Sequence, residues 1–176
     1  MKSFEIIYHP TENEIKEMIQ LDQKTYSELD CGNLQKCLRW KEKCPEIYTA
    51  IKYNNKIIGY INFAPIKKEC YNKIKSGNLK DYELEESDLL NFKEGLNYCL
   101  FMSIVIDKKF RNADVFIRLM NAFFEKINYK KQKNAIFDNV LCDCVSKEGE
   151  KLVEKNFNAK FICDSKNGTK IYEFKL

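Results

Sequence analysis

The 176-residue sequence holds a single histidine, His9, and no two cysteines at the C-x2-C spacing of a zinc knuckle. Structural zinc sites need Cys and His at short fixed spacings, so no metal is expected. No apolar run approaches the roughly 18 residues of a membrane span, and the N-terminus MKSFEIIYHP lacks a signal peptide's apolar core. The expectation is a soluble cytoplasmic chain with no membrane partner. Internal repeats and low-complexity tracts are also missing. Glycine is absent from one telling place. The stretch DKKFRNADVF, residues 107–116, links an apolar run to an amphipathic segment without a single glycine.

Eight cysteines are present, at 31, 37, 44, 70, 99, 142, 144 and 163. They are scattered through a chain too large to need staples, and they read as free thiols serving as small hydrophobes. If 142–144 is a strand, Cys142 and Cys144 share a face. The net charge of +4 is spread among 30 basic and 26 acidic residues. The densest basic cluster, NYKKQK at 128–133, caps the end of a helix. No nucleic-acid partner is expected. With 44% hydrophobic and 32% charged residues, the composition suits one globular domain over 1–176.

FEIIYH reads as a first strand. Thr11 and Glu14 have capping-box spacing ahead of a helix through EIKEMIQLDQKTYSEL, whose apolar stripe is Ile15, Met18, Ile19 and Leu21. Gly32 and Asn33 interrupt it, and NLQKCLRWKEK forms a second helix stopped by Pro45. IYTAIKY and KIIGYINFAPI flank Asn54-Asn55, a hairpin signal. Residues 67–97 are polar and read as an insertion over the core, with SDLLNFKE as a short helix. YCLFMSIVI, 98–106, is nearly continuously apolar, as in a strand covered on both faces. Val115, Phe116, Leu119, Met120, Phe123, Phe124 and Ile127 then recur at helical spacing. AIFDNVLCDCV is another strand, Ser146 caps the helix KEGEKLVEK, and AKFIC and KIYEFKL pair around Asn167-Gly168. The order β-α-α-β-β-(insertion)-β-α-β-α-β-β implies an α/β (α+β) fold with a mixed sheet.

This order resembles the GNAT acetyltransferase superfamily over essentially the whole chain. The local cues follow in sequence: paired early helices, the hairpin with IIGYINFAPI, a buried strand, an Arg-led loop into a long helix, then SKEGEKLVEKNF. The resemblance implies a mostly antiparallel sheet whose central parallel pair splays apart to admit acetyl-coenzyme A. The cosubstrate's pantetheine would pair with Ile104, Val105 and Ile106. Its pyrophosphate would rest on Arg111, Asn112, Ala113, Asp114, Val115 and Phe116. Asp114 and Phe116 stand where the family pattern places small residues. A helix N-terminus still offers unpaired N–H groups and partial positive charge to an anion.

By position, the Ile106 N–H would polarise the thioester carbonyl. Leu100 occupies the place of a strand carboxylate and Leu152 that of a thiolate-protonating tyrosine, so neither group is present. Ser103 and Ser146 are the candidate catalytic hydroxyls, each with a competing reading, as a packed hydroxyl and a helix cap respectively. Asp143 lies near a strand end on an undetermined face. Tyr26, Glu28 and Asp30, with the insertion, are candidates for recognising an amine. The function implied is acetyl transfer from acetyl-coenzyme A to a primary amine of a small molecule, protein or peptide. The alternative is a weak or inactive GNAT-like domain that senses coenzyme A or a regulatory ligand. Monomer and homodimer both remain open.

Overall fold

A computed structural model of the chain describes residues 3–28 and 31–176; Asp30 lies outside them. Two compact units divide the chain, Met1–Asn62 with Ser103–Tyr129 and Phe63–Met102 with Lys130–Leu176. The strands form a seven-stranded mixed sheet in the order β1-β2-β3-β4-β5-β7-β6, and β4 and β5 are its parallel pair. β3 (Lys56–Pro65) and β4 (Gly95–Ile106) pass from one unit into the other.

In the first unit, β1 (Phe4–Ile7) and β2 (Tyr48–Tyr53) pair antiparallel, and β2 turns into β3. Asn54 and Asn55 both have positive φ, 48° and 62°, which gives the tight turn between them the twist a two-residue hairpin needs. α1 (Glu12–Thr25) begins at the expected capping box: the Thr11 hydroxyl accepts from Glu14 N–H at 3.3 Å, and Glu14 accepts from Thr11 N–H at 2.6 Å. Its buried stripe is Ile15, Met18, Leu21 and Asp22, so an acid ends an otherwise apolar face. α2 (Leu34–Lys43) is capped by Asn33. In α4 (Ala113–Gln132), Val115, Leu119, Met120, Ala122, Phe123 and Ile127 are buried, while Phe116 and Phe124 are half-buried. The NYKKQK cluster forms the last turns of α4 and the residue after it.

The second unit is built on aromatic packing. Phe63, Phe101 and Phe137 lie within 6.4 Å of one another where paired, and Phe157 stacks on Phe174 at 4.5 Å. β5 (Ala135–Cys144) pairs with β7 (Lys170–Phe174), which pairs with β6 (Lys160–Asp164). Ser146 caps α5 (Lys147–Phe157) as expected. All eight cysteines are free, and Cys142 and Cys144 do share a face, their sulfurs 3.5 Å apart and buried.

The insertion differs from the expectation. Its helix is α3 (Lys68–Lys75), where Cys70, Tyr71 and Ile74 give a buried face. SDLLNFKE forms no α-helix: Ser87 and Asp88 belong to a 3-10 turn, and beyond it the backbone bonds the end of β3, where Leu89 bridges Ile66 and Leu90 N–H donates to the Pro65 carbonyl at 2.9 Å. Only single 3-10 turns form, at Asp81–Glu83 and Glu86–Asp88. β4 also starts earlier than the apolar run, at Gly95. Buried Asn97 is accommodated there by bonding the Lys93 and Gly95 carbonyls at 2.8 and 2.9 Å.

The insertion grips the β6–β7 hairpin. Tyr71 and Lys75 both bond Glu173, Lys166 N–H donates to the Gly77 carbonyl at 2.8 Å, and Lys166 pairs with Glu83 at 2.7 Å. Gly77 has φ of 76°, and a Cβ there would meet the Asp164 carbonyl at 2.7 Å, so only glycine fits. At the centre, the Lys80 ammonium bonds Asp143 and the Thr169 hydroxyl, with side chains only 2% and 4% exposed. Removing one member of such a pair strands a buried charge. Lys80→Ala should cost about 3–5 kcal/mol, whereas Lys80→Met with Asp143→Leu should recover most of it. Urea unfolding midpoints of the three proteins check this.

Candidate functional site

The site begins with an incomplete ladder. The parallel register of β4 and β5 runs from Gly95–Ala135 to Phe101–Cys142, and the last five residues of β4, Met102–Ile106, lie outside it. Backbone groups at that end of β4 therefore turn to other partners. The Ile104 carbonyl accepts from the Tyr26 hydroxyl at 3.3 Å, and the Ile106 carbonyl accepts from the Arg111 guanidinium at 3.3 Å. Gly59 on β3 permits close approach here, since a Cβ would sit 2.9 Å from the Val105 carbonyl. Asp107 N–H then bonds the Ile58 carbonyl at 2.8 Å and ends the strand.

The glycine-free loop is held by its own side chains. Asp107 accepts from Lys109 N–H at 2.9 Å and sets a 3-10 turn over Lys108–Phe110. The Asn112 side chain accepts from Val115 N–H at 3.0 Å, so asparagine caps α4. The first-turn amides of Ala113 and Asp114 carry no protein partner among the described residues. Asp114 turns to Arg118 one helical turn on, at 3.0 Å, and Arg118 in turn lies 5.1 Å over the Phe4 ring. The acid at the family's small-residue position is thus matched by a cation on the same helix. Ser103 is half-buried on β4, and its hydroxyl makes no hydrogen bond among the described residues.

Behind Tyr26 lies a feature the sequence reading missed. Asp22, 6% exposed, accepts from the Tyr60 hydroxyl through Oδ1 and from Gly32 N–H at 3.3 Å through Oδ2. Burial raises its pKa from 3.8 to about 6, against the lowering effect of those two hydrogen bonds. The signal was available. Asp22 continues the 15-18-21 stripe, where only an apolar residue or a functional acid belongs. Glu28, by contrast, is exposed.

The remaining predicted residues belong to the other unit. Ser146 accepts from Gly149 N–H at 3.1 Å, which uses an acceptor lone pair and leaves its O–H proton to donate. Asp143, whose face was undetermined, is committed to Lys80. No group of three or more metal-ligating side chains occurs among the described residues, and none of their helices is long and apolar enough to cross a membrane.

No protein-family model matches the sequence, and no curated protein does. Solved structures match along nearly the full length. A GNAT-family acetyltransferase from Streptococcus agalactiae is 14% identical with a TM-score of 0.60, covering 98% of this chain and 95% of that one. An N-acetyltransferase from Staphylococcus aureus is 12% identical with a TM-score of 0.59, covering 98% of both chains. A chain of the NatC complex, solved with Gag peptide and CoA, is 11% identical with a TM-score of 0.62, covering 99% and 97%. Sheet order, the β4–β5 parallel pair and these likenesses agree: the chain has the GNAT N-acetyltransferase fold.

Proposed function

We propose that the protein is an acetyl-coenzyme A-dependent N-acetyltransferase whose acceptor is a primary amine of a small molecule, protein or peptide. The observation that carries this reading is the end of β4. Its Met102–Ile106 segment stands outside the β4–β5 register and leads, through the 107–112 loop, to a helix whose Ala113 and Asp114 amides have no protein partner among the described residues. A strand end with unpaired backbone groups suits an amide-bearing chain such as pantetheine, and a helix N-terminus suits a pyrophosphate.

Arg111, Asn112, Ala113, Asp114, Val115 and Phe116 would hold the pyrophosphate. Arg111 supplies the charge, and the Ala113 and Asp114 amides supply the donors. Attack by a neutral amine on the thioester builds negative charge on the carbonyl oxygen, which the Ile106 N–H would stabilise. The leaving thiolate needs a proton, and Ser146 is the donor its place in the family order suggests, with Ser103 as the other hydroxyl candidate. Tyr26, Glu28 and Asp30 remain the candidates for amine recognition, Tyr26 with the added support of its bond to Ile104. The cytoplasm is the compartment proposed for this reaction.

A second reading, a domain that binds coenzyme A as a sensor without turnover, draws support from Asp114 in the loop and Leu152 in α5. Calorimetric titration with acetyl-coenzyme A should give a micromolar dissociation constant. Arg111→Ala should weaken it about tenfold, a loss of about 1.4 kcal/mol. Asp114→Asn should tighten it, because Arg118 is freed to act on the phosphates; no heat with the wild type overturns both readings. Thiol release from acetyl-coenzyme A in the presence of primary amines separates them, with turnover expected for the enzyme and none for the sensor.

A further inference from the structure

Resting on the acetyl-transfer reading, we propose that Asp22, acting through the Tyr60 hydroxyl, receives the proton of the acceptor amine, so that the substrate is a cationic primary amine taken up as its ammonium form. The sequence offered no base; Leu100 stands where a carboxylate was sought. The structure supplies one from a different element, α1, beside the end of β4.

The first support is what surrounds Asp22. From β3 comes the Tyr60 hydroxyl, from the loop after α1 the Gly32 amide, from α2 the Cys37 thiol and from β2 the Tyr48 hydroxyl. Burial pushes the Cys37 thiol up and the two tyrosines well above their ordinary value, so all of these groups are neutral near pH 7. Among the described residues, no Lys, Arg or His pairs with Asp22. A buried carboxylate normally brings its cation with it. This one does not, and an incoming ammonium would supply it. A role confined to pinning Gly32 would be met by a neutral asparagine.

The second support is a buried acceptor left without a donor. Asn62 stands two residues beyond Tyr60 on the same face of β3, 7% exposed, and its Oδ1 has no hydrogen-bond partner among the described residues. Tyr60 donates its only proton to Asp22, so its own oxygen can only accept. These two acceptors suit the N–H groups of an ammonium. Tyr26, close enough to Tyr60 to act on its titration, ties the cluster to the Ile104 carbonyl of β4.

The protons balance as follows. The ammonium gives a proton to the Tyr60 oxygen as Tyr60 passes its own to Asp22, and the freed lone pair forms the N–C bond to the thioester carbonyl carbon. The C–S bond breaks with its electrons on sulfur, and the second nitrogen proton balances the one the thiolate takes up. Asp22 releases its proton to water, so one ammonium and one thioester yield amide, thiol and one proton. Tyr60 touches the substrate; Asp22 is a positioning and proton-storing residue behind it. An acceptor whose pKa lies near the working pH combines availability with driving force.

The test uses wild type, Asp22→Asn and Tyr60→Phe, each first titrated calorimetrically with acetyl-coenzyme A and then assayed with n-butylamine and 1,4-diaminobutane by thiol release. In the wild type, kcat/KM should fall about tenfold per pH unit below a pKa of about 6 and level off above it. In both variants kcat/KM should drop by about 100-fold. It should then climb continuously with pH, tracking the free amine, while cofactor affinity stays unchanged. Three results overturn the assignment and leave the cofactor reading standing. These are persistence of the wild-type limb in Asp22→Asn, a full-strength Tyr60→Phe, and a wild type that binds acetyl-coenzyme A without acetylating either amine. Absence of acetyl-coenzyme A binding in the wild type removes the transferase reading and this inference together.

Discussion

Everything at the candidate site depends on β4 leaving its ladder before it ends. Buried backbone N–H and C=O groups must find partners. β5 supplies them as far as Phe101–Cys142, and beyond that the strand continues for five more residues. Tyr26 takes one exposed carbonyl and Arg111 another. A strand that ran out of both partner and length together would have no backbone to offer. Gly59 contributes on the β3 side, where any side chain would press on the Val105 carbonyl.

Among the described residues four charged side chains are buried, and their desolvation is met in three different ways. Lys80 and Asp143 neutralise one another, with Thr169 taking a further ammonium proton. Lys126 points its ammonium at two backbone carbonyls, Glu46 at 2.9 Å and Tyr48 at 3.4 Å. Asp22 alone has only neutral donors, and the cost appears as a carboxyl shifted up to about 6. In the first two arrangements the net charge is already met by an opposite charge or by dipoles, even though Asp143 Oδ1 itself accepts no hydrogen bond among the described residues. The third is electrostatically open. That difference, more than proximity to β4, is what carries the role proposed for Asp22.

Much of this fold is written locally. The Thr11–Glu14 box, the Asn54-Asn55 turn, the Ser146 cap and the 115–127 stripe each carry their signal within a few residues, and each forms as read. The helix expected at SDLLNFKE does not form because the outcome there is decided at long range. SDLLNFKE has acceptable helical composition, yet the open edge at the end of β3 offers its backbone better bonds. The same limit hid Lys80. One lysine among many in a polar segment shows nothing until Asp143, 63 positions away, becomes its partner. Asp22 was half-legible: its place in an apolar stripe is local, but the absence of a neighbouring cation exists only in three dimensions.

The loop without glycine is ordered by side chains rather than by glycine's backbone freedom. Glycine serves an anion loop by freeing dihedrals and letting backbone approach. Here the helix start is fixed instead by side chains, Asp107 holding the preceding turn and Asn112 capping the helix. The Asn112 cap claims the Val115 amide but leaves those of Ala113 and Asp114 open. Asp114 would repel a phosphate by itself, yet its carboxylate is held by Arg118, 3.0 Å away on the next turn. That pair is more than half exposed on average, at 61% and 50%, and exposed pairs are weak. A strongly charged ligand can therefore draw Arg118 away from Asp114 at small cost. On the transferase reading, the acid would be a modest brake on anion binding, one that salt and ligand charge could tune.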